Sequence, residues 1–193
     1  MRAIDGLSRR GGLAAYLVAA FSLAYAVVYL GFASRAPDDR VSNALADALI
    51  AAGALAASVA TVAMSERAGA SFARWLAPLG VGYSLLSAAH GVYAAILVSA
   101  GLVAGDLSPT DPRGFATFGL AGLWLLALGW TARATATIPS RLAWLAVVGG
   151  IDLVALFVAT MVGSTPAILV TGGLASVGFV PAFWIWSGRV LRG

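Results

Sequence analysis

Cysteine and lysine are absent from this chain of 193 residues, and histidine and glutamate occur once each, as His90 and Glu66. Without cysteine there is no disulfide framework, thiolate nucleophile or Cys/His zinc site, and one histidine excludes a bis-histidine haem within the chain. No Walker loop, nucleophile elbow or zincin helix is present. The stretch "GVGYSL" at 80–85 begins like a dinucleotide fingerprint but lacks the third glycine and falls inside an apolar run. The sequence therefore implies no metal and no cofactor. Charge is scarce too: charged residues make up 10% of the chain, against about 25% in soluble proteins.

What is abundant is apolar. Hydrophobic residues reach 61% and the mean hydropathy is +0.92, which makes the chain an integral membrane protein. A hydrocarbon core about 30 Å thick takes roughly 20 helical residues at 1.5 Å each. Apolar runs of that order extend from Leu13 to Ala33, Asn43 to Met64, Leu76 to Ala104, Phe115 to Ala132, Leu142 to Val162 and Ala167 to Val190. The fold class expected is all-α, a bundle of six transmembrane helices forming one domain over 1–193. Prolines at the connections support these limits: Pro112 after Asp111, Pro139 and Pro166 each fit a first helical position. The twin arginine before the first run resembles a secretory signal, but that run exceeds the usual 7–15 residues, so it reads as a retained anchor. No repeat relates the two halves.

All twelve basic residues are arginine. Nine (Arg2, Arg9, Arg10, Arg67, Arg74, Arg133, Arg141, Arg189 and Arg192) fall on one side of the expected spans, and Arg35, Arg40 and Arg113 on the other. Positive charge favours the cytoplasm, so both termini are expected inside, in a cytoplasmic (inner) cell membrane. The charge serves topology and gives no reason to expect nucleic acid as a partner. Arginine in place of lysine and the wealth of alanine point to a GC-rich bacterial genome.

Small residues mark where helices are expected to meet, since association in lipid rests on close backbone approach and polar bonds. The second run is alanine-rich with Gly53, Ser58 and Thr61; Gly149, Gly150, Gly172 and Gly173 mark further contacts. Pro181 is expected to kink the last helix. Trp184 and Trp186, next to arginines, fit an interfacial belt, as do Tyr25 and Tyr29 at the opposite side.

The polar residues inside the runs carry the functional expectation. Asp152, in "VVGGIDLVALFVAT", and His90, in "GYSLLSAAHGVY", fall at similar depth near mid-membrane. Tyr83, Ser87 and His90 share a helical stripe; Gly149, Asp152, Ala155 and Ala159 form a comparable narrow face. An ionisable group at the midplane costs about 2.5–3.5 kcal/mol on insertion scales, so it is paired or faces a cavity. Either Asp152 is protonated, or it is charged and met by a donor such as His90. Asp47 suits a role at a helix end, Asp106 and Asp111 are loop residues, and Glu66 is expected in a solvated loop.

The second half, "FGLAGLWLLALGWTARATATIPSRLAWLAVVGG" with the closing "VPAFWIWSGRVLRG", resembles uncharacterised bacterial polytopic membrane proteins of six helices. The likeness uses residues common in membrane helices. It implies a fold and assigns no site residue.

Two functions of different class follow. In the first, Asp152 and His90, with Tyr83, Ser87, Tyr93, Phe183 and Trp184, bind a small or lipophilic molecule or a membrane protein partner, a second copy making a homo-oligomer. In the other, a cyclase or isomerase acts on an isoprenoid-like lipid, with Asp152 as general acid and aromatic rings steadying a carbocation. A purely structural subunit, in which Asp152 only holds helices together, is the third reading. Membrane lipids are partners in every case.

Overall fold

The computed structural model describes residues 2–36, 38–102 and 116–193. Six helices follow one another. Helix α1 runs over Arg2–Val28 and continues as a π-helical turn, Tyr29–Ala33. Helices α2 (Arg40–Ala68), α3 (Ala70–Ser99), α4 (Ala116–Thr135) and α5 (Ser140–Val162) come next. The last, α6 (Thr165–Arg192), holds a π-helical segment at Leu174–Phe179. Five stretches are long and apolar enough to cross a membrane: Gly6–Ala33, Arg40–Ala68, Trp75–Ser99, Ser140–Val162 and Thr165–Arg192. Between them α4, of 20 residues, spans about 30 Å, the thickness of a hydrocarbon core. The chain is a polytopic membrane bundle. The cap expected at Asp111 and Pro112 and the arginine at 113 lie outside the described residues.

The helices extend beyond the apolar runs. Helix α2 starts at Arg40 because Asp39 caps it, its Oδ1 accepting from the Val41 amide at 3.1 Å and its Oδ2 from the Ser42 hydroxyl. At its other end α2 passes through Glu66, which is exposed in the last helical turn and not in a loop. Only Gly69 separates α2 from α3. Its φ of +127° is open to glycine and strained for any residue with a Cβ. Pro166 stands in the first turn of α6 as expected, whereas Pro139 immediately precedes α5. Pro181, which has no amide hydrogen to give, stands two residues after the end of the π-helical segment at Phe179, so the interruption expected there takes the form of a widened turn.

Neighbours in sequence are neighbours in space, and α1 closes the ring against the C-terminal half of α6; α2 also touches α4 and α6. Both chain termini therefore lie at one end of the bundle. There the Ser8 hydroxyl donates to the Leu191 carbonyl at 2.5 Å, and Gly12 and Gly188 admit Arg192 and Tyr16. The core is made of small residues, among them Ala15, Ala60, Ala143 and Ala146, with Met64, Leu128 and Leu142. Large apolar side chains face outward from every helix, for example Leu13, Leu55, Ile96, Leu123, Ile151 and Leu169. Such a surface has no counterpart in a soluble monomer and suits acyl chains.

Close backbone approach is concentrated between α4 and α5. A Cβ at Gly150 would come within 2.9 Å of the Gly122 carbonyl oxygen, and one at Gly122 within 2.8 Å of the Gly150 oxygen. The pair is reciprocal. By contrast Gly172 has a single neighbour at 3.8 Å and Gly173 none within 4 Å, so the glycine pair of α6 does not mark a helix contact within the chain. Packing also weakens away from the termini: Thr165–Gly173 contains no buried residue and, among the described residues, meets only α5 and the adjoining π-helical segment.

Candidate functional site

Most buried polar groups satisfy themselves along their own helix, as lipid requires. Ser84 donates to the Gly80 carbonyl at 2.9 Å and Thr160 to the Leu156 carbonyl at 2.8 Å. Between helices in the core, the indole nitrogen of Trp124, on α4, donates to the Ser65 hydroxyl of α2 at 3.2 Å. That ring stacks on Trp184 at 6.0 Å and meets the edge of Phe183 at 6.1 Å; Phe183 and Trp184 are themselves 4.9 Å apart. Trp184 and Phe183 are buried. They form an aromatic core toward the end of the bundle where the termini lie, and Trp184 is not the interfacial residue its neighbouring arginines suggest. The exposed tryptophans at that end are Trp75, Trp130 and Trp144, with the Arg133 guanidinium 3.8 Å above the Trp144 ring.

The stripe expected on α3 is partly assembled. Tyr83 and Ser87 share a hydrogen bond, and Ser87 and His90 are buried. Gly91 sets this part of α3 directly on α2, where a Cβ would fall 2.6 Å from the Asp47 carbonyl oxygen. Tyr93 is on an exposed flank of α3. Thus Tyr83, Ser87 and His90 belong to one face, Phe183 and Trp184 to the aromatic core, and Tyr93 to neither.

Asp152 is elsewhere. It lies about 18 Å along α5 from Ser140 and about 15 Å from Val162, so mid-helix and mid-depth. Its neighbours in register are instructive: Gly149, one turn before, faces Phe179 at 3.5 Å, and Leu156, one turn after, reaches Gly172 at 3.8 Å. Asp152 therefore lies level with the π-helical segment of α6. It is also at the margin of the packed face, since Gly149, Leu153 and Leu156 are buried while Val148, Ile151 and Ala155 are exposed. Oδ2 is buried and accepts no hydrogen bond. Oδ2 of Asp152 does not bond to Nδ1 of His90. Ser187 likewise buries its Oγ without a partner.

Among the described residues, open grooves mark the surface at two places of note. One, of about 490 Å³, lies between α2 and α3 and includes Glu66 and Pro78. The other, of about 450 Å³, lies between α1 and α6 and includes Leu23, Val27, Arg35 and Val177. Neither includes Asp152. Among the described residues no three His, Asp or Glu side chains come together as a metal site.

At the opposite end from the termini, Tyr25 and Tyr29 stack with their rings 5.5 Å apart. The signal that the sequence reading missed is Asp39, whose carboxyl is held below the usual range by the Ser42 hydroxyl; an aspartate three residues before Ser42 and just ahead of an apolar run marks a helix start.

Comparison with protein-family models, with curated proteins and with solved structures finds no match to this chain, so the chain is identified by its architecture, six helices of which five are candidate membrane spans, and by no family.

Proposed function

We propose that this protein resides in a bacterial cytoplasmic membrane, both termini inside, and binds a membrane partner subunit or lipophilic ligand that presents a hydrogen-bond donor to Asp152 from the membrane plane. The observation that carries the reading is the buried, unpartnered Oδ2 of Asp152 at mid-helix. An acceptor left unmade in a low-dielectric interior costs free energy that a donor would recover. Two features beside it favour a partner helix, a second copy of this chain included. The first half of α6 is unburied, and Gly173 has open space around it, which allows another backbone to come close. The cyclase reading asks for an enclosed cavity in which Asp152 meets aromatic faces. Here Phe183 and Trp184 pack on Trp124 instead.

A chain without cysteine suits site-directed cross-linking. With Gly173→Cys as the only thiol, oxidation in membranes should yield a discrete cross-linked species when the partner carries a cysteine. Asp152→Ala should weaken that association by roughly three- to twentyfold, the 0.6–1.7 kcal/mol of one hydrogen bond between helices in lipid. Mass spectrometry of the intact, gently extracted complex reads the same change. If Asp152→Ala folds and leaves the assembly and its bound lipids unaltered, the carboxyl has no binding role.

A further inference from the structure

The groove between α1 and α6 is separate from Asp152, which faces α6 from α5. Its α1 wall is Leu23, Ala26, Val27 and Leu30, its α6 wall Val177, and its one charged residue Arg35. Leu23 to Arg35 is twelve residues, about 18 Å of helix, or roughly the 15 Å depth of one leaflet plus its headgroup edge. The groove has a floor. Ser22, beside Leu23, donates its hydroxyl to the carbonyl of Ser176, beside Val177, at 3.2 Å. Beyond that bridge α1 and α6 close on one another through Gly12 and Gly188. Both π-helical segments of the described residues, Tyr29–Ala33 and Leu174–Phe179, belong to the two walls.

Arg35 stands at the open end, exposed and in no ion pair with the described residues. Of the charged residues that follow it, Asp38 is exposed and forms no ion pair with Arg35, the Asp39 carboxyl is taken by Val41 and Ser42, and the Arg40 guanidinium packs at Gly101 by the end of α3. A cation at headgroup level above an apolar slot one leaflet deep is complementary to an anionic amphiphile. A transmembrane helix fits poorly: at about 10 Å across and 18 Å long it displaces roughly 1,400 Å³, three times the groove, and it would have to cross the Ser22–Ser176 floor.

We propose that this groove seats one acyl chain of an anionic phospholipid from the leaflet opposite the chain termini, with the headgroup phosphate on the Arg35 guanidinium. Both π-helical turns contribute residues to the walls of the slot, and the serine bridge sets how deep the chain reaches.

The test uses the full chain in non-ionic detergent, with phosphatidylglycerol or phosphatidylcholine of identical acyl chains added, and counts bound lipid by native mass spectrometry. One tightly held phosphatidylglycerol per chain is expected, retained about fivefold better than phosphatidylcholine, the effect of one basic residue at an anionic surface. Arg35→Gln should bring the two lipids to equal retention. Gly31, which lines the groove with open space where a side chain would stand, allows Gly31→Leu to fill the slot without a clash. That variant should lose both lipids while keeping its helical circular dichroism and elution volume. Equal retention of the two lipids by the wild-type chain overturns the proposal, as does phosphatidylglycerol that survives Arg35→Gln and Gly31→Leu. A second protein chain seated at Gly31 would also overturn it. Asp152→Ala should leave this lipid in place, which separates the groove from the carboxyl.

Discussion

Adding one methyl group at Gly150 should separate two helices, and the structure says by how much. The new Cβ would meet the Leu126 amide nitrogen at 2.8 Å and the Gly122 carbonyl oxygen at 2.9 Å, where ordinary contact begins at 3.4 Å. These are backbone atoms of α4, so no rotamer relieves the clash and the axes must part locally by about 0.5 Å. Parting loosens Leu125 and Leu128, buried on the same side of α4. Overpacking of this kind costs about 1–3 kcal/mol. Exchanging glycine for alanine inside a helix also brings a gain of up to about 1 kcal/mol, so Gly150→Ala alone mixes two effects. Gly82→Ala separates them. Gly82 is inside α3 with nothing within 4 Å of a new Cβ, and the propensity gain is the same. Gly82→Ala should match or exceed wild-type stability, and Gly150→Ala should fall about 1–3 kcal/mol below Gly82→Ala. Reversible unfolding in mixed micelles of mild detergent and dodecyl sulfate, followed by tryptophan fluorescence, measures the difference. Equal stability of the two variants would refute the claim that α4 and α5 meet backbone to backbone at this level.

Other perturbations probe other contacts. Ser65→Ala leaves the Trp124 indole in place and removes its acceptor; a cost of about 0.6–1.7 kcal/mol is expected, and a double-mutant cycle with Trp124→Phe, which also sheds part of the buried ring, should show coupling of about that size. Ala136 has φ 53° in the turn after α4, a strain of about 1–2 kcal/mol set against about 0.4–1 kcal/mol of chain entropy, so Ala136→Gly should stabilise by roughly 0.5–1 kcal/mol in the same unfolding assay. Asp39→Ala should speed amide hydrogen exchange at Val41 and Ser42 and leave the rest of α2 unchanged. Because the folded-state pKa of Asp39 is lowered from 3.8, its contribution is complete above that range and lost as pH falls through the lowered value. Exchange at those two amides should therefore rise, relative to the intrinsic rate, only in acid.

Depth was legible in the sequence because it needs only counting. Apolar runs of about 20 residues located the helices, and the count along α5 agrees with Asp152 at mid-helix, whereas His90, expected at the same depth, falls in the last third of α3, next to the contact of Gly91 with Asp47 and Ala51. Helix limits were less legible, because hydropathy marks the greasy length and the helix goes on where hydrogen bonds allow. Thus α1 begins before Leu13, its first turns held by Ser8 on Leu191, and α2 and α3 run on until Gly69 alone parts them. Direction was not legible. The arginines beside Trp184 suggested an interface, but the ring turns inward because Trp124, 60 residues away, offers a face to stack on. Gly149 and Gly150 did mark contacts, whereas of the chemically equivalent pair in α6 Gly172 meets only the tip of Leu156 and Gly173 has open space around it.

That asymmetry carries a consequence for the whole molecule. The aromatic core and the docked termini lie toward one end; toward the other, α2 and α3 stay in backbone contact at Gly91, while the first half of α6 is unburied. At that end α6 can yield at little cost, because its unburied first half breaks few contacts when it shifts. Asp152 sits near the boundary between the two regimes, level with the Leu174–Phe179 segment. A donor that engages the carboxyl from the membrane plane therefore acts on the segment of α6 with the fewest restraints, and binding there should be felt first as protection of the amides of residues 165–179 from exchange.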